Sequence, residues 1–95
     1  MAYLLEVKEE AIVDTREAYF HYESKKYGLG DRFLAALKDC YKKIELNPQH
    51  YSHISADREN TLRDIKVKGF PYVVVFETRD FNAIVYAVVN CYRNR

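Results

Sequence analysis

The sequence predicts an α+β fold with an N-terminal strand and an antiparallel helix hairpin packed on a largely antiparallel sheet of four to five strands. Two long segments with helical periodicity lie in the first half of the chain, and a short apolar run precedes them. The second half consists of short β-branched and aromatic runs separated by turn residues. The predicted order is therefore β-α-α-β-β-β. A length of 95 residues suits one domain over 1–95.

The short apolar run AYLLEVK, residues 2–8, predicts the first strand. From Glu9 onward, apolar side chains recur at three- and four-residue spacings, which predicts an amphipathic helix. Its apolar stripe is Ala11, Ile12, Thr15, Ala18, Tyr19 and Tyr22. Gly28 and Gly30 are expected to end this helix, so that the GLG segment forms the link to the next one.

The second helix is expected to begin at Asp31 and to end at Asn47, because Pro48 cannot continue it. Its predicted apolar stripe is Phe33, Leu34, Leu37, Cys40, Tyr41 and Ile44. Two helices joined by so short a link form an antiparallel hairpin.

Alternation of apolar and polar residues over 62–67 predicts a strand with one wet face. The continuous run YVVVF at 72–76 predicts a central strand covered on both faces, and 83–89 predicts the last strand. A weak extra strand is expected at 51–55. Turn residues separate the three main runs: Gly69 with Pro71, and Asp80 to Asn82.

Composition indicates a soluble globular protein, since 48% of residues are hydrophobic and 31% are charged. No run is long enough for a transmembrane helix and no signal peptide is recognisable, so we expect a cytoplasmic protein. The net charge of +1 does not call for nucleic acid, although residues 61–95 carry six Lys or Arg against three Asp or Glu. Cys40 and Cys91 are expected to be free thiols.

Four ordered stretches resemble one known family. They are AYFHYESKKYGLGDRFLAAL (18–37), KIELNPQHY (43–51), LRDIKVKGFPYVVVFE (62–77) and IVYAVVNCYRNR (84–95). Together they resemble the RelE/ParE superfamily of type II toxins, and in particular its ParE-like, plasmid-stabilisation branch. The resemblance covers most of the chain, and the fold that it implies agrees with the fold predicted above.

The resemblance implies a toxin that a cognate antitoxin neutralises. ParE-like members are associated with inhibition of DNA gyrase, whereas RelE-like members cleave mRNA on the ribosome. Three alternatives stay open: a toxin that binds a target, a ribosome-dependent mRNA endonuclease, and a degenerate toxin that harms nothing. We expect no cofactor and no membrane association. We also expect the antitoxin to bind in the groove between the helix hairpin and the sheet. Without antitoxin, the toxin could form a homodimer, and the sequence leaves this open.

The last strand ends in NCYRNR, which supplies most of the candidate site residues. The resemblance places functional arginines at Arg63 and Arg93, whose guanidinium groups suit phosphate or carboxylate. If the protein is a nuclease, these arginines would stabilise charge and Tyr92 is the candidate acid. Asn90 stands where ParE-like sequences commonly carry His, and it cannot exchange protons. We therefore expect Arg63, Asn90, Tyr92, Arg93 and Arg95 to bind a target or antitoxin.

Histidines and tyrosines have less specific interpretations. His50 and His53 have metal-ligand spacing but lack further ligands, so we expect no metal site and interpret them, with His21, as surface residues. Four tyrosines are expected in the core: Tyr19, Tyr22, Tyr41 and Tyr72. Three aromatic residues are expected to be partly exposed and to favour protein binding: Phe20, Tyr27 and Tyr92.

Overall fold

The computed structural model describes residues 2–51 and 61–92, and over these residues it confirms the α+β class. In chain order the elements are β1 (Leu4–Val7), α1 (Glu9–Lys25), α2 (Leu29–Leu46), a short 3-10 helix (Pro48–His50), β2 (Arg63–Lys66), β3 (Tyr72–Arg79) and β4 (Asn82–Asn90). Among the described residues, no helix is both long and apolar enough to cross a membrane.

The four strands form one sheet in the order β1-β4-β3-β2. β2 and β4 both run antiparallel to β3, whereas β1 runs parallel to β4, so the sheet is largely antiparallel as predicted. β1 pairs only with the Asn82–Val85 half of β4. The second half of β4 therefore extends past the end of β1 and lies beside α1, where the Asp14 carboxylate accepts a hydrogen bond from the Val88 amide at 3.0 Å.

Both helices pack on the same face of the sheet and form one hydrophobic core with it. The helices contribute Ala11, Ala18, Phe33, Leu37, Cys40 and Ile44, and the sheet and its turns contribute Ile65, Val67, Tyr72, Val74, Phe76, Ala83, Val85 and Val88. Aromatic rings meet at one end of this core, where the Phe33 ring lies 5.2 Å from Tyr72 and 5.3 Å from Phe70. These contacts hold α2 against the start of β3.

The prediction that β3 is covered on both faces is wrong for the described part of the chain. Tyr72, Val74 and Phe76 are buried, but Val73 and Val75 are only half-buried. The reason is that both helices lie on one side of the sheet, so alternate residues of β3 meet different surroundings.

The link between the helices is shorter than predicted, because α2 begins at Leu29 and includes Gly30. Gly28 adopts a positive φ of 87°, and the Glu23 carboxylate accepts hydrogen bonds from the amides of Gly28 and Gly30, both at 2.9 Å. These bonds satisfy N–H groups that a helix start leaves without partners, so α2 can begin early. Gly30 is buried against Tyr19.

Two further strand predictions need adjustment. β3 and β4 extend through Arg79 and Asn90, beyond the predicted 72–76 and 83–89. Most of the weak strand predicted at 51–55 lies outside the described residues. Cys40 is buried and Cys91 is exposed, and both are free thiols as predicted.

Candidate functional site

The end of β4, where the sequence places most of the candidate residues, forms a compact turn. The Tyr92 amide donates a hydrogen bond to the Asn90 side-chain oxygen at 2.8 Å, and the Cys91 amide donates one to the Pro71 carbonyl at 2.8 Å. Asn90 thus binds the backbone and holds the turn in place. The Tyr92 side chain is 82% exposed, in agreement with its predicted exposure. Arg93 and Arg95 lie outside the described residues.

Arg63 lies on β2, two strands away from this turn. It is paired with Phe76, whereas Asn90 is paired with Tyr72, four residues away along β3. At about 3.3 Å per residue and 4.8 Å per strand spacing, the backbones of Arg63 and Asn90 are roughly 13 Å apart along the strands and 10 Å across them. The structure therefore does not bring Arg63 together with Asn90 and Tyr92.

The guanidinium group of Arg63 has a structural contact. Arg63 shares the helix-facing side of β2 with Ile65 and is half-buried. Its Nη1 donates a hydrogen bond to the Tyr51 carbonyl at 2.7 Å, which connects β2 to the segment after the 3-10 helix. The basic residue that does line a shallow depression with Tyr92 is Lys66.

The surface beside Asn90 is acidic. A cleft between α1 and β4 is lined by Glu10, Asp14 and Glu17, and Asn90 lies on its β4 side. No Lys or Arg lines this cleft among the described residues. Carboxylates at this position repel a phosphodiester backbone, so this side of the β4 end is unfavourable for RNA.

A second surface, which the sequence did not predict, lies on the helix hairpin. We call it the hairpin groove, and it has a volume of ≈ 530 Å³. Its lining is almost entirely apolar or aromatic and consists of Val7, Ile12, Thr15, Arg16, Tyr19, Phe20, Leu34, Leu37 and Tyr41. Three of the apolar residues in this lining are exposed: Ile12 at 46%, Phe20 at 62% and Leu34 at 37%.

The hairpin groove corrects the helical stripes predicted from the sequence. Ile12 and Leu34 belong to the predicted apolar stripes, but both are exposed and line the hairpin groove. The signal in the sequence was the width of the apolar stripes, which exceeds the width of the helix faces that the core buries. The remaining apolar residues must then meet solvent or another molecule. Of the predicted core tyrosines, Tyr72 is buried, whereas Tyr19, Tyr22 and Tyr41 are half-buried.

Tyr41 lies at the base of the hairpin groove. Its hydroxyl is buried and makes no hydrogen bond within the described part of the chain. Burial raises the pKa of Tyr41 to about 12, because the charged phenolate is poorly solvated there. The phenol is therefore neutral at physiological pH.

Residues 2–51 and 61–92 contain no cluster of His, Cys, Asp or Glu able to hold a metal ion. His21 and His50 are exposed, as predicted, and His53 lies outside the described residues. Among the titratable residues of the outer sheet face, burial raises the pKa of Asp64, and a hydrogen bond to Glu77 raises the pKa of Arg79. The Arg79 Nε lies 2.7 Å from the Glu77 carboxylate.

A helix hairpin on one face of a small mixed sheet, with an apolar groove open to solvent, defines a small protein suited to binding another polypeptide. Comparison with known families places it further: the model of the family described as ParE toxin of type II toxin-antitoxin system, parDE, matches residues 5–94. The chain belongs to this family, and the resemblance seen in the sequence is confirmed. It is thus the toxin of a type II toxin–antitoxin system, and membership of such a system implies a cognate antitoxin.

Solved structures show the same fold. A chain described as a chromosomal ParDE toxin–antitoxin system from P. aeruginosa superimposes with a TM-score of 0.68 at 15% sequence identity. The match covers 94% of this chain and 96% of that one. No curated protein matches the sequence.

Proposed function

We propose that this toxin acts in the cytoplasm by binding a cellular target protein, and that its antitoxin neutralises it by placing an amphipathic segment in the hairpin groove. This site differs from the groove between hairpin and sheet that the family resemblance led us to expect, where the cleft between α1 and β4 is lined by carboxylates. The observation that carries the proposal is the exposed apolar lining of the hairpin groove. Burying such side chains contributes about 25 cal/mol per Å² of apolar area, and helix-in-groove recognition uses this kind of surface.

The proposed antitoxin site is tested by two matched substitutions on α1 and at its end. Phe20→Asp places a charge in the groove and should raise the dissociation constant of the complex by about 30-fold or more, as expected for a central anchor. Tyr27→Asp is the control, because Tyr27 is 94% exposed and does not line the groove. The partner is the product of the adjacent reading frame. Co-expression and gel filtration test for a complex, and calorimetry with the separate proteins measures its dissociation constant.

Two outcomes of that experiment would count against the groove. If the wild-type toxin and the adjacent product elute separately at micromolar concentration, the partner assignment fails. If Phe20→Asp and Tyr27→Asp bind equally well, the antitoxin binds elsewhere. Free toxin should be examined by the same gel filtration, because an apolar groove without its occupant favours association of two copies.

Target binding is favoured over RNA cleavage by the positions of the candidate residues. Arg63 is distant from Asn90 and Tyr92 and donates to the Tyr51 carbonyl, and the cleft beside Asn90 is acidic. General acid–base catalysis typically contributes about 10²–10⁴ in rate, and Asn90 cannot supply it. DNA gyrase is the first target to examine, and Arg93→Ala should weaken target binding.

The alternative is a ribosome-dependent mRNA endonuclease that uses Arg63, Arg93 and Tyr92. Primer extension on cellular mRNA after induced expression separates the two. Codon-phased cleavage that disappears in both Arg63→Ala and Tyr92→Phe would establish the enzyme. Intact mRNA with arrested replication would support gyrase, and intact mRNA with normal growth would support a degenerate toxin.

A further inference from the structure

Among the described residues that line the hairpin groove, Arg16 is the one that carries a charge. On a helix, the neighbours of a residue on its own face are three and four positions away. For Arg16 these are Ile12, Val13, Tyr19 and Phe20, none of which carries a charge. The guanidinium therefore lies among the large exposed apolar side chains of α1.

Arg16 also has no anionic partner in the described part of the chain. The salt bridges there join Lys8 to Glu6 and Arg79 to Glu77, and no hydrogen bond is formed by the Arg16 side chain. Arg16 is exposed, so its charge is stabilised by water while the groove is open. That stabilisation is lost when another molecule covers the groove.

Burying an unpaired guanidinium under apolar groups costs desolvation free energy. When a carboxylate covers the guanidinium, charge-assisted hydrogen bonds compensate that cost. An occupant with an uninterrupted apolar face would therefore be penalised at Arg16. An occupant with one acidic side chain at that point would be accepted. This arrangement discriminates between segments of equal hydrophobicity.

We infer that Arg16 determines which segments the hairpin groove accepts, and that the occupant is an amphipathic helix whose apolar row is interrupted by one Asp or Glu facing Arg16. This inference rests on the proposed function of the groove. A helix fits because the lining from Ile12 to Phe20 extends about 12 Å along α1, roughly two helical turns. The occupant is therefore an amphipathic helical segment of the antitoxin that carries an acidic residue in its apolar face.

The test uses the product of the adjacent reading frame and two substitutions of Arg16. Arg16→Met retains an unbranched side chain but removes the charge, whereas Arg16→Lys keeps the charge. We expect Arg16→Met to raise the dissociation constant about 10-fold and to flatten its dependence on salt. Arg16→Lys should retain most of the affinity. Arg32→Met is the matched control, since Arg32 is exposed on α2 outside the groove.

The outcomes separate this inference from the proposed function. Unchanged or tighter binding by Arg16→Met, with the same salt dependence as wild type, overturns the role of Arg16 while the groove stands as the antitoxin site. Failure of the wild-type toxin to bind the adjacent product overturns both. Thermal unfolding of the free variants should be close to wild type, because the exposed Arg16 side chain forms no hydrogen bond or ion pair within the described residues.

Discussion

The contact between Gly30 and Tyr19 predicts that a single methyl group will destabilise the helix hairpin. A Cβ built on Gly30 would lie 2.8 Å from the Tyr19 carbonyl oxygen and 2.8 Å from two of its ring carbons. Carbon atoms pack best at about 3.5–4.0 Å, so α1 and α2 would have to separate. The backbone oxygen cannot rotate away, and therefore Gly30→Ala should open the hairpin by several tenths of an ångström.

The size of the effect follows from two opposing contributions. Overpacking costs roughly 1–3 kcal/mol, and replacing Gly by Ala in a helix recovers up to about 1 kcal/mol. We expect Gly30→Ala to lose about 1–2 kcal/mol of unfolding free energy, which lowers Tm by roughly 4–16 °C in a domain of this size. Arg32→Ala, on the exposed side of α2, is the control and should lie within about 0.5 kcal/mol of wild type.

Urea and thermal unfolding measure the difference, and Gly30→Val should be more destabilised than Gly30→Ala. If Gly30→Ala is as stable as wild type, the close approach of the helices is wrong. Because Tyr19 also lines the hairpin groove, Gly30→Ala should weaken antitoxin binding as well.

Three further predictions concern stability. Val74→Asp places an unpaired charge in the core and should lower the free energy of unfolding by several kcal/mol, enough to unfold the protein. Val73→Asp, on the half-buried face of β3, should lower it less. A cooperatively folded Val74→Asp variant would show that β3 is not central. Glu23→Gln removes the charge that caps the start of α2 and should lower the free energy of unfolding, measured with urea, by about 1 kcal/mol. If the variant is as stable as wild type, the cap does not stabilise the fold. Burial raises the pKa of Tyr41 to about 12 from an ordinary value near 10, so its contribution to stability is complete below pH 10 and declines as pH rises to about 12. Because part of the side chain is screened by water, we expect this decline to be about 1–2 kcal/mol. Tyr41→Phe should remove this alkaline loss, and an unchanged pH profile for Tyr41→Phe would contradict the burial of its hydroxyl.

The order of elements could be predicted from the sequence because it depends on local chemistry. Helical periodicity, the Asn47–Pro48 stop and the alternation over 62–67 each act over a few residues. The start of α2 was missed because its cap comes from Glu23, five to seven residues earlier. A carboxylate that folds back from the previous helix leaves no signal beside the residues that it caps.

The candidate site shows the opposite case. The family resemblance placed Arg63 and the end of β4 among the same candidate site residues, since both match positions of the family pattern. Only the strand register separates them, because Arg63 pairs with Phe76 and Asn90 with Tyr72. Register depends on contacts between distant parts of the chain, and a motif contains no information about it.

The sequence by itself determined the class of fold, the two helices and the family. The tertiary structure decided which apolar residues of those helices are buried. Ala11 and Ile12 are adjacent in the predicted stripe, yet Ala11 packs on the sheet and Ile12 lines the hairpin groove. Periodicity gives the width of an apolar face, but the packing of two helices on one sheet decides how much of that face is left for a partner.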